Sequence, residues 1–410
     1  MSSLEPASKQ VDRSDQYFVA AAVPLLGVLY MFSPLASYIG ALLFLTLFSS
    51  RLNANVRIAT SAIVILSGAS IWASRQVGLS VSDDFASYYD MYTRIDHLEW
   101  TTERIPPYEL GLPMFFRIVS VALPDLTPNG LMFVSTTVTG LILLFCVERF
   151  GLREFPREKR AYCLAMVFLF FSFVLTTQLT RQMLSSVLLV NAFFCVRATA
   201  RRLSLLVASL FHLAAIPVYA VLRMLQGRFL LLVIALLSAV VLANLVDVEA
   251  AESWVTRYGV PRVGYYLTLT NGESNRMSFL IVLGVAMAGV MSLLAVKAAR
   301  AQISSQEKRT MLLLIGVVVV YLLTMGLTLG PFRLFLVVHA VMAGWFFAYF
   351  TRRFPNRYLA VVGAALIIAL NLWRGRTLYV VDAAREFLPW EVYGPFGALP
   401  GYFVLSYLSR

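Results

Sequence analysis

Few side chains in this sequence are suited to acid–base or anion chemistry, and they fall in short clusters. The first reads Ser82-Asp83-Asp84-Phe85-Ala86-Ser87-Tyr88-Tyr89-Asp90-Met91-Tyr92. Ser82 is placed to N-cap a helix, with Asp83 and Asp84 complementing its dipole in the first turn. Phe85, Tyr88, Tyr89 and Tyr92 then recur at i, i+3, i+4 and i+7, one aromatic face. Such a helix either lies at a membrane interface on its tyrosines or forms a sugar-binding lip. In the lip, rings stack on pyranose faces and carboxylates accept hydrogen bonds from hydroxyls.

The second cluster is Tyr108-Glu109-Leu110-Gly111. A carboxylate at the mouth of an apolar hairpin can have a raised pKa through desolvation, as a general base needs, or it can pair with Arg104 or Arg117. The third is Thr176-Thr177-Gln178-Leu179-Thr180-Arg181-Gln182, between two apolar runs, with Gln178, Arg181 and Ser185 on one helical face. An arginine at membrane depth needs an anionic partner or a wet cavity, unless it snorkels to the interface. Arg333 follows Gly330-Pro331, where Pro opens a new helix. A cation near a helix N-terminus opposes the macrodipole, and a bound anion between them removes the conflict. Arg257, Arg262, Arg276, Arg374 and Arg376 fall on the same predicted side and can share one diphosphate cage.

Histidine is scarce. His97 falls in a loop, His339 mid-helix as a core residue, and His212 beside the break expected at Pro217. No carboxylate stands at ligand spacing from any of them, so a His-based metal site is not expected. No Walker loop, dinucleotide fingerprint or nucleophile elbow occurs in a fitting context.

The elements that must position these residues follow from composition. Of 410 residues, 59% are hydrophobic and 14% charged, with a mean hydropathy of +0.76. Soluble domains run at about 25% charged, so a soluble enzyme, a disordered chain and a nucleic-acid-binding module are excluded. The net charge of +12 comes from 34 basic residues, 30 of them Arg, scattered between apolar runs rather than gathered in one block. Cys146, Cys163 and Cys195 lie inside apolar runs and suggest neither a disulfide framework nor a metal site.

The apolar runs lack the period-2 alternation of barrel strands, so the expected fold is all-α and polytopic. Residues 1–16 are a polar tail rather than a cleavable signal, and 17–410 form a single membrane domain. Basic residues group in alternate connectors, which predicts their orientation toward the cytoplasm. That side then holds 17 Arg and 4 Lys against 7 acids, and the other 12 Arg against 15 acids. All basic connectors share one side only if the runs 109–123 and 203–222 are re-entrant or interfacial, leaving about eleven crossings. The long non-cytoplasmic loops are then 75–130, 247–277 and 374–399. This topology gives His212 access only from the cytoplasmic half of the membrane.

The ordered series Asp83-Asp84-x-x-x-Tyr88-Tyr89, Glu109-x-Gly111, Arg181-Gln182, Phe211-His212 and Pro331-x-Arg333 resembles the EpsG/Wzy-type polysaccharide polymerases over roughly residues 70–400. The family often carries Asp-Tyr where this chain has Asp84-Phe85. The resemblance implies a bacterial inner-membrane glycosyltransferase of GT-C-like architecture. It takes undecaprenyl-diphosphate-linked oligosaccharides as donor and acceptor and lengthens a surface polysaccharide on the periplasmic side. No cofactor, nucleotide sugar or metal is implied, nor any nucleic-acid partner; a chain-length-regulating co-polymerase is an expected partner. The roles implied are Arg181 and Arg333 on the diphosphate with Arg276 behind them. Glu109, Asp84 and His212 would be base or sugar-orienting groups, and Asp83, Tyr88, Tyr89 and Gln182 would be sugar contacts. Two readings compete: a lipid-phosphate-dependent glycosyltransferase requiring a divalent cation, which EDTA would reveal, and a flippase or transporter, which would lengthen no glycan.

Overall fold

The computed structural model describes residues 13–75, 84–95, 109–195, 197–227, 272–298, 300, 302–324 and 335–380. Among the described residues the regular structure is helical throughout, without a strand. In chain order the helices are α1 (Arg13–Phe32), α2 (Pro34–Leu47), α3 (Ala54–Ala73), α4 (Phe85–Thr93), α5 (Gly111–Ala122) and α6 (Pro128–Arg149). After two short 3-10 turns come α7 (Arg160–Phe170), α8 (Phe173–Gln178), α9 (Thr180–Phe194), α10 (Ala198–Phe211) and α11 (Ala215–Gly227). The remainder are α12 (Gly272–Ala298), α13 (Ser305–Thr324), a π-helical segment Val337–Met342 running into α14 (Ala343–Thr351), and α15 (Asn356–Val380).

Among the described residues, three helical stretches are long and apolar enough to cross a membrane: α3, α6 and Ser278–Ala298 of α12. Their starts are encoded locally. The Asn53 Oδ1 accepts the Val56 N–H at 3.0 Å to cap α3, and Thr127 Oγ1 accepts the Gly130 N–H at 3.0 Å with Pro128 at the first position of α6.

Basic connectors gather at one end of the bundle. Arg57 makes a bidentate pair with Glu148 at 2.6 and 2.9 Å. Ser49 Oγ donates to Glu158 O at 2.8 Å, and Lys159 Nζ donates to Arg352 O and, at 2.8 Å, to Phe354 O. Arg352 and Arg353 converge on Glu307 at 2.9 and 2.8 Å. At the opposite end, Asn129 Nδ2 donates to Ala73 O at 2.5 Å and Arg75 O at 3.0 Å, tying α6 to the end of α3.

The main core lies along α2, α3, α7, α9 and α14. Its tightest crossing is at Gly344, where a Cβ would come 2.0 Å from Met166 O, so α14 rests directly on the backbone of α7. The run expected as one helix over 161–178 is divided at Phe171–Ser172. There Ser172 N–H leaves the helix ladder and donates to Ala340 O in the π-helical segment at 2.9 Å. His339 is buried in that segment, as its position mid-run suggested.

A second, smaller core forms at the end away from the basic connectors, from Phe85, Tyr88, Met91, Tyr92, Leu112, Phe116, Leu131 and their neighbours. Tyr89 and Tyr92 hydroxyls donate to Leu126 O at 3.2 Å and Leu123 O at 3.0 Å. These bonds fix the α5–α6 turn beside α4. Both ends of α5 therefore stay at this end of the bundle, and its outer face exposes Met114, Ile118 and Val121, the pattern of an interfacial helix.

Candidate functional site

The site grows from a break in a helix. Pro217 lacks an N–H, and its ring would clash with the carbonyl four residues back, so a helix cannot run straight through 213–217. The chain breaks at His212, which is extended at φ −157° and ψ 115°, and restarts at Ala215 with Pro217 still in the first turn, where Pro is tolerated. Leu213 N–H is thereby released from the helical ladder. It donates instead to Glu109 Oε1 at 3.1 Å.

α10 lies antiparallel to α9 along its length, tied by Ser185 Oγ to Ala208 O at 2.9 Å and Asn191 Nδ2 to Ser204 Oγ at 2.8 Å. About 14 residues of helix span some 20 Å, enough to carry the hairpin tip from the basic end, where Phe194 packs on Trp345, to the level of Arg181. The run 203–222 thus enters and returns as a hairpin, and its tip meets groups from the opposite end. The conflict in the expected access to His212 is removed: the histidine rises to the site.

Glu109 is the centre of this meeting. Its Oε1 accepts from His212 Nδ1 at 3.0 Å as well as from Leu213, and its Oε2 is paired with Arg181 NH1. Glu109 and Arg181 are both nearly buried, at 3% and 5% exposure. A buried ion pair repays its desolvation only where the remaining lone pairs are also satisfied, and here three donors serve one carboxylate. Burial alone would raise the Glu109 pKa. The His212 hydrogen bond, the Arg181 charge and the Leu213 N–H together outweigh it and hold the carboxyl below its ordinary value. This corrects two expectations: the partner is Arg181, 72 residues away, and the pKa shift is downward.

The carboxylate also fixes the imidazole. A carboxylate can only accept, so neutral His212 carries its proton on Nδ1 and keeps the Nε2 lone pair for chemistry. Arg181 lies in the first turn of α9, where a cation opposes the helix dipole, and the Glu109 carboxylate offsets that charge. Gly111 makes the approach geometrically feasible. A Cβ there would stand 2.8 Å from Phe211 N and 2.9 Å from Leu210 C, so α5 begins in direct contact with the backbone that ends α10.

One participant was missed in the sequence. Arg75, buried at the end of α3, donates through Nε to Thr177 Oγ1 and through NH2 to Thr177 O, both at 2.9 Å. Its guanidinium carbon lies 5.8 Å from the centre of the Phe85 ring. It joins α3 and α4 to the α8–α9 break that presents Arg181 four residues later. The signal was an arginine placed directly at the end of an apolar run, where a charge needs a partner.

The remaining candidates separate into groups. Gln182 follows Arg181 and lines a recess beside His212. Asp84 stands immediately before α4 without capping it through its side chain. Tyr88 is fully buried with Phe85 and Tyr92 in the smaller core, and Tyr89 is half-buried against Leu126. The aromatic face at i, i+3 and i+7 therefore packs inward against α5 and α6 instead of forming an open sugar-stacking lip. Arg276 lies on α12, whereas Ser82, Asp83, Arg104 and Arg333 fall outside the described residues. Residues Leu336 and Val337, shortly after Arg333, line the same recess as Gln182 and His212.

No curated protein and no solved structure matches this chain. The EpsG family model matches residues 60–332, a stretch that holds Glu109, Gly111, Arg181, Gln182 and His212. With about two thirds of its length covered in one match, the chain belongs to the EpsG family.

Proposed function

We propose that this protein is a membrane glycosyltransferase that polymerises lipid-diphosphate-linked oligosaccharide repeat units into a long polysaccharide. Membership of a family of polysaccharide-polymerase-type membrane proteins supports the reading. The observation that carries it is the hydrogen bond between Glu109 and His212, which leaves Nε2 as the basic atom beside a charged arginine.

In this mechanism an acceptor hydroxyl gives its proton to His212 Nε2 as its oxygen attacks the anomeric carbon of the donor sugar. The bond from that carbon to the diphosphate breaks, and the lipid diphosphate leaves with the electron pair. His212 then passes the proton to the leaving group or to water. Glu109 holds the imidazole in the correct tautomer and stabilises the imidazolium, the role a carboxylate plays in acyl-transfer triads. A guanidinium has five N–H donors, so engagement with Glu109 is compatible with a second anion on Arg181. The family resemblance adds Arg333 and Arg276 to the proposed cage, whose task is to stabilise the charge that develops as the diphosphate departs.

The basic end of the bundle is assigned to the cytoplasm and the Glu109–His212 end to the periplasmic face of a bacterial inner membrane, following the distribution of Lys and Arg. Undecaprenyl diphosphate is the carrier the family resemblance implies, with metal-independent chemistry and a chain-length regulator as partner. Purified protein given a labelled lipid-diphosphate oligosaccharide should produce a ladder of longer glycans, unchanged by EDTA. Movement of the lipid across a vesicle membrane with no lengthening would instead make it a transporter.

A further inference from the structure

Beside the Glu109–His212 pair, α9, α11 and the start of the π-helical segment enclose a recess of about 20 Å³, lined by Gln182, Ser186, His212, Val218 and Leu336 among others. That is room for one water molecule or one hydroxyl group. Gln182 and Ser186 stand at i and i+4 on the α9 face that lines it. They are only 4% and 6% exposed, yet neither side chain makes a hydrogen bond among the described residues. Ser185 next to them is satisfied by Ala208 O, so of the three polar residues of α9 on this wall Gln182 and Ser186 are the ones left to face the recess. Buried amides and hydroxyls in native proteins are normally paired. The polar ends of Gln182 and Ser186 have a hydroxyl-sized space in which to find such a partner, and with His212 lining the same recess they mark a site suited to a polar ligand.

We propose that Gln182 and Ser186 seat the acceptor, holding the attacking hydroxyl of its terminal sugar beside His212 Nε2. The assignment rests on the reading of His212 as the base. It carries a consequence for selectivity. Water fits the same recess, so when no sugar hydroxyl occupies it, water can lose its proton to Nε2 and attack the anomeric carbon. The bond to the diphosphate then breaks and a free reducing glycan is released. Gln182 and Ser186 thus set the partition between transfer and hydrolysis by favouring a tethered hydroxyl over water.

The test separates donor from acceptor, using a labelled lipid-diphosphate oligosaccharide as donor and an alkyl glycoside of the same repeat, which lacks a diphosphate, as acceptor. Gln182→Met and Ser186→Ala should each raise the acceptor KM about tenfold, the scale of one lost hydrogen bond, while the donor KM stays within about twofold. The ratio of hydrolysis to transfer should rise in both. An acceptor KM unchanged in both variants overturns the assignment. So does a loss of kcat with both KM values unmoved, which would mark a structural role. The underlying reading fails separately: it falls if His212→Ala retains full transfer.

Discussion

Glu109 and His212 lie 103 residues apart in the chain and meet at 3.0 Å, Oε1 to Nδ1, at the tip of a helical hairpin. Neither alone has the means to do the proposed chemistry. The carboxylate has its lone pairs engaged by three donors, and a free imidazole has no fixed tautomer. Together they make one oriented lone pair.

The pair depends on Arg181, so Arg181→Ala should do two kinds of damage. Removing one partner of a buried ion pair costs roughly 3–5 kcal/mol, which thermal unfolding of the purified protein will report. Glycan lengthening should also disappear. Combining Glu109→Gln with Arg181→Met removes both charges and should recover most of the stability but none of the activity. Arg181→Lys should recover stability better than activity, because a point charge does not reproduce the planar fork. If the double variant is no more stable than Arg181→Ala, the two groups are not coupled as described.

The pH dependence has a definite sign. Glu109 titrates below its ordinary value in the folded protein, so its contribution to stability is present in full above the unfolded-state pKa of about 4.3. It is lost as pH falls through the lower folded value. Unfolding measured from pH 7 down to 3 should show the gap between wild type and Glu109→Gln constant above about pH 5 and shrinking below it. A gap that widens on acidification would mean the carboxyl is raised instead.

Gly111→Ala places a methyl group against the backbone of Leu210 and Phe211, which cannot yield as a side-chain tip can. A cost of about 1–3 kcal/mol is expected, with kcat lowered at least tenfold as Glu109 is pushed from the hairpin tip. Gly284→Ala on α12 meets nothing within 4 Å and should leave kcat unchanged, with stability equal or higher by up to about 1 kcal/mol. Equal behaviour of the two variants would remove the close approach from the account.

Arg75→Met should lower kcat without touching substrate, because it frees Thr177 and the α8–α9 break from α3. Arg75→Lys should rescue poorly, as one ammonium on a flexible stem does not hold Oγ1 and O of the same residue in the fork geometry. Rescue by Lys to wild-type kcat would reduce Arg75 to a buried charge.

Much of this was legible in the sequence as separate signals. Glu109, Arg181 and His212 each stood out as a polar or ionisable group beside an apolar run, and the breaks at 109–123 and 203–222 were expected to be elements that do not simply cross. What could not be read was who meets whom. The three residues come from segments 72 and 103 positions apart, and their meeting depends on Pro217 freeing an N–H and on Gly111 allowing two backbones to touch. Periodicity placed Phe85, Tyr88 and Tyr92 on one face but not the direction of that face, since a core and a binding lip share the same spacing. Desolvation suggested a raised Glu109 because its donors were unknown. Arg75 escaped because its partner, Thr177, is a neutral residue in a distant helix.

The most direct measurement compares wild type with His212→Ala in the reconstituted lengthening reaction, after both have been shown to unfold at similar temperatures. This substitution leaves the Glu109–Arg181 pair and the Leu213 N–H in place, so it removes the base and little else. The result expected is a ladder of longer glycans from wild type and loss of at least a hundredfold in rate from the variant. A ladder from His212→Ala at the wild-type rate would contradict the central claim.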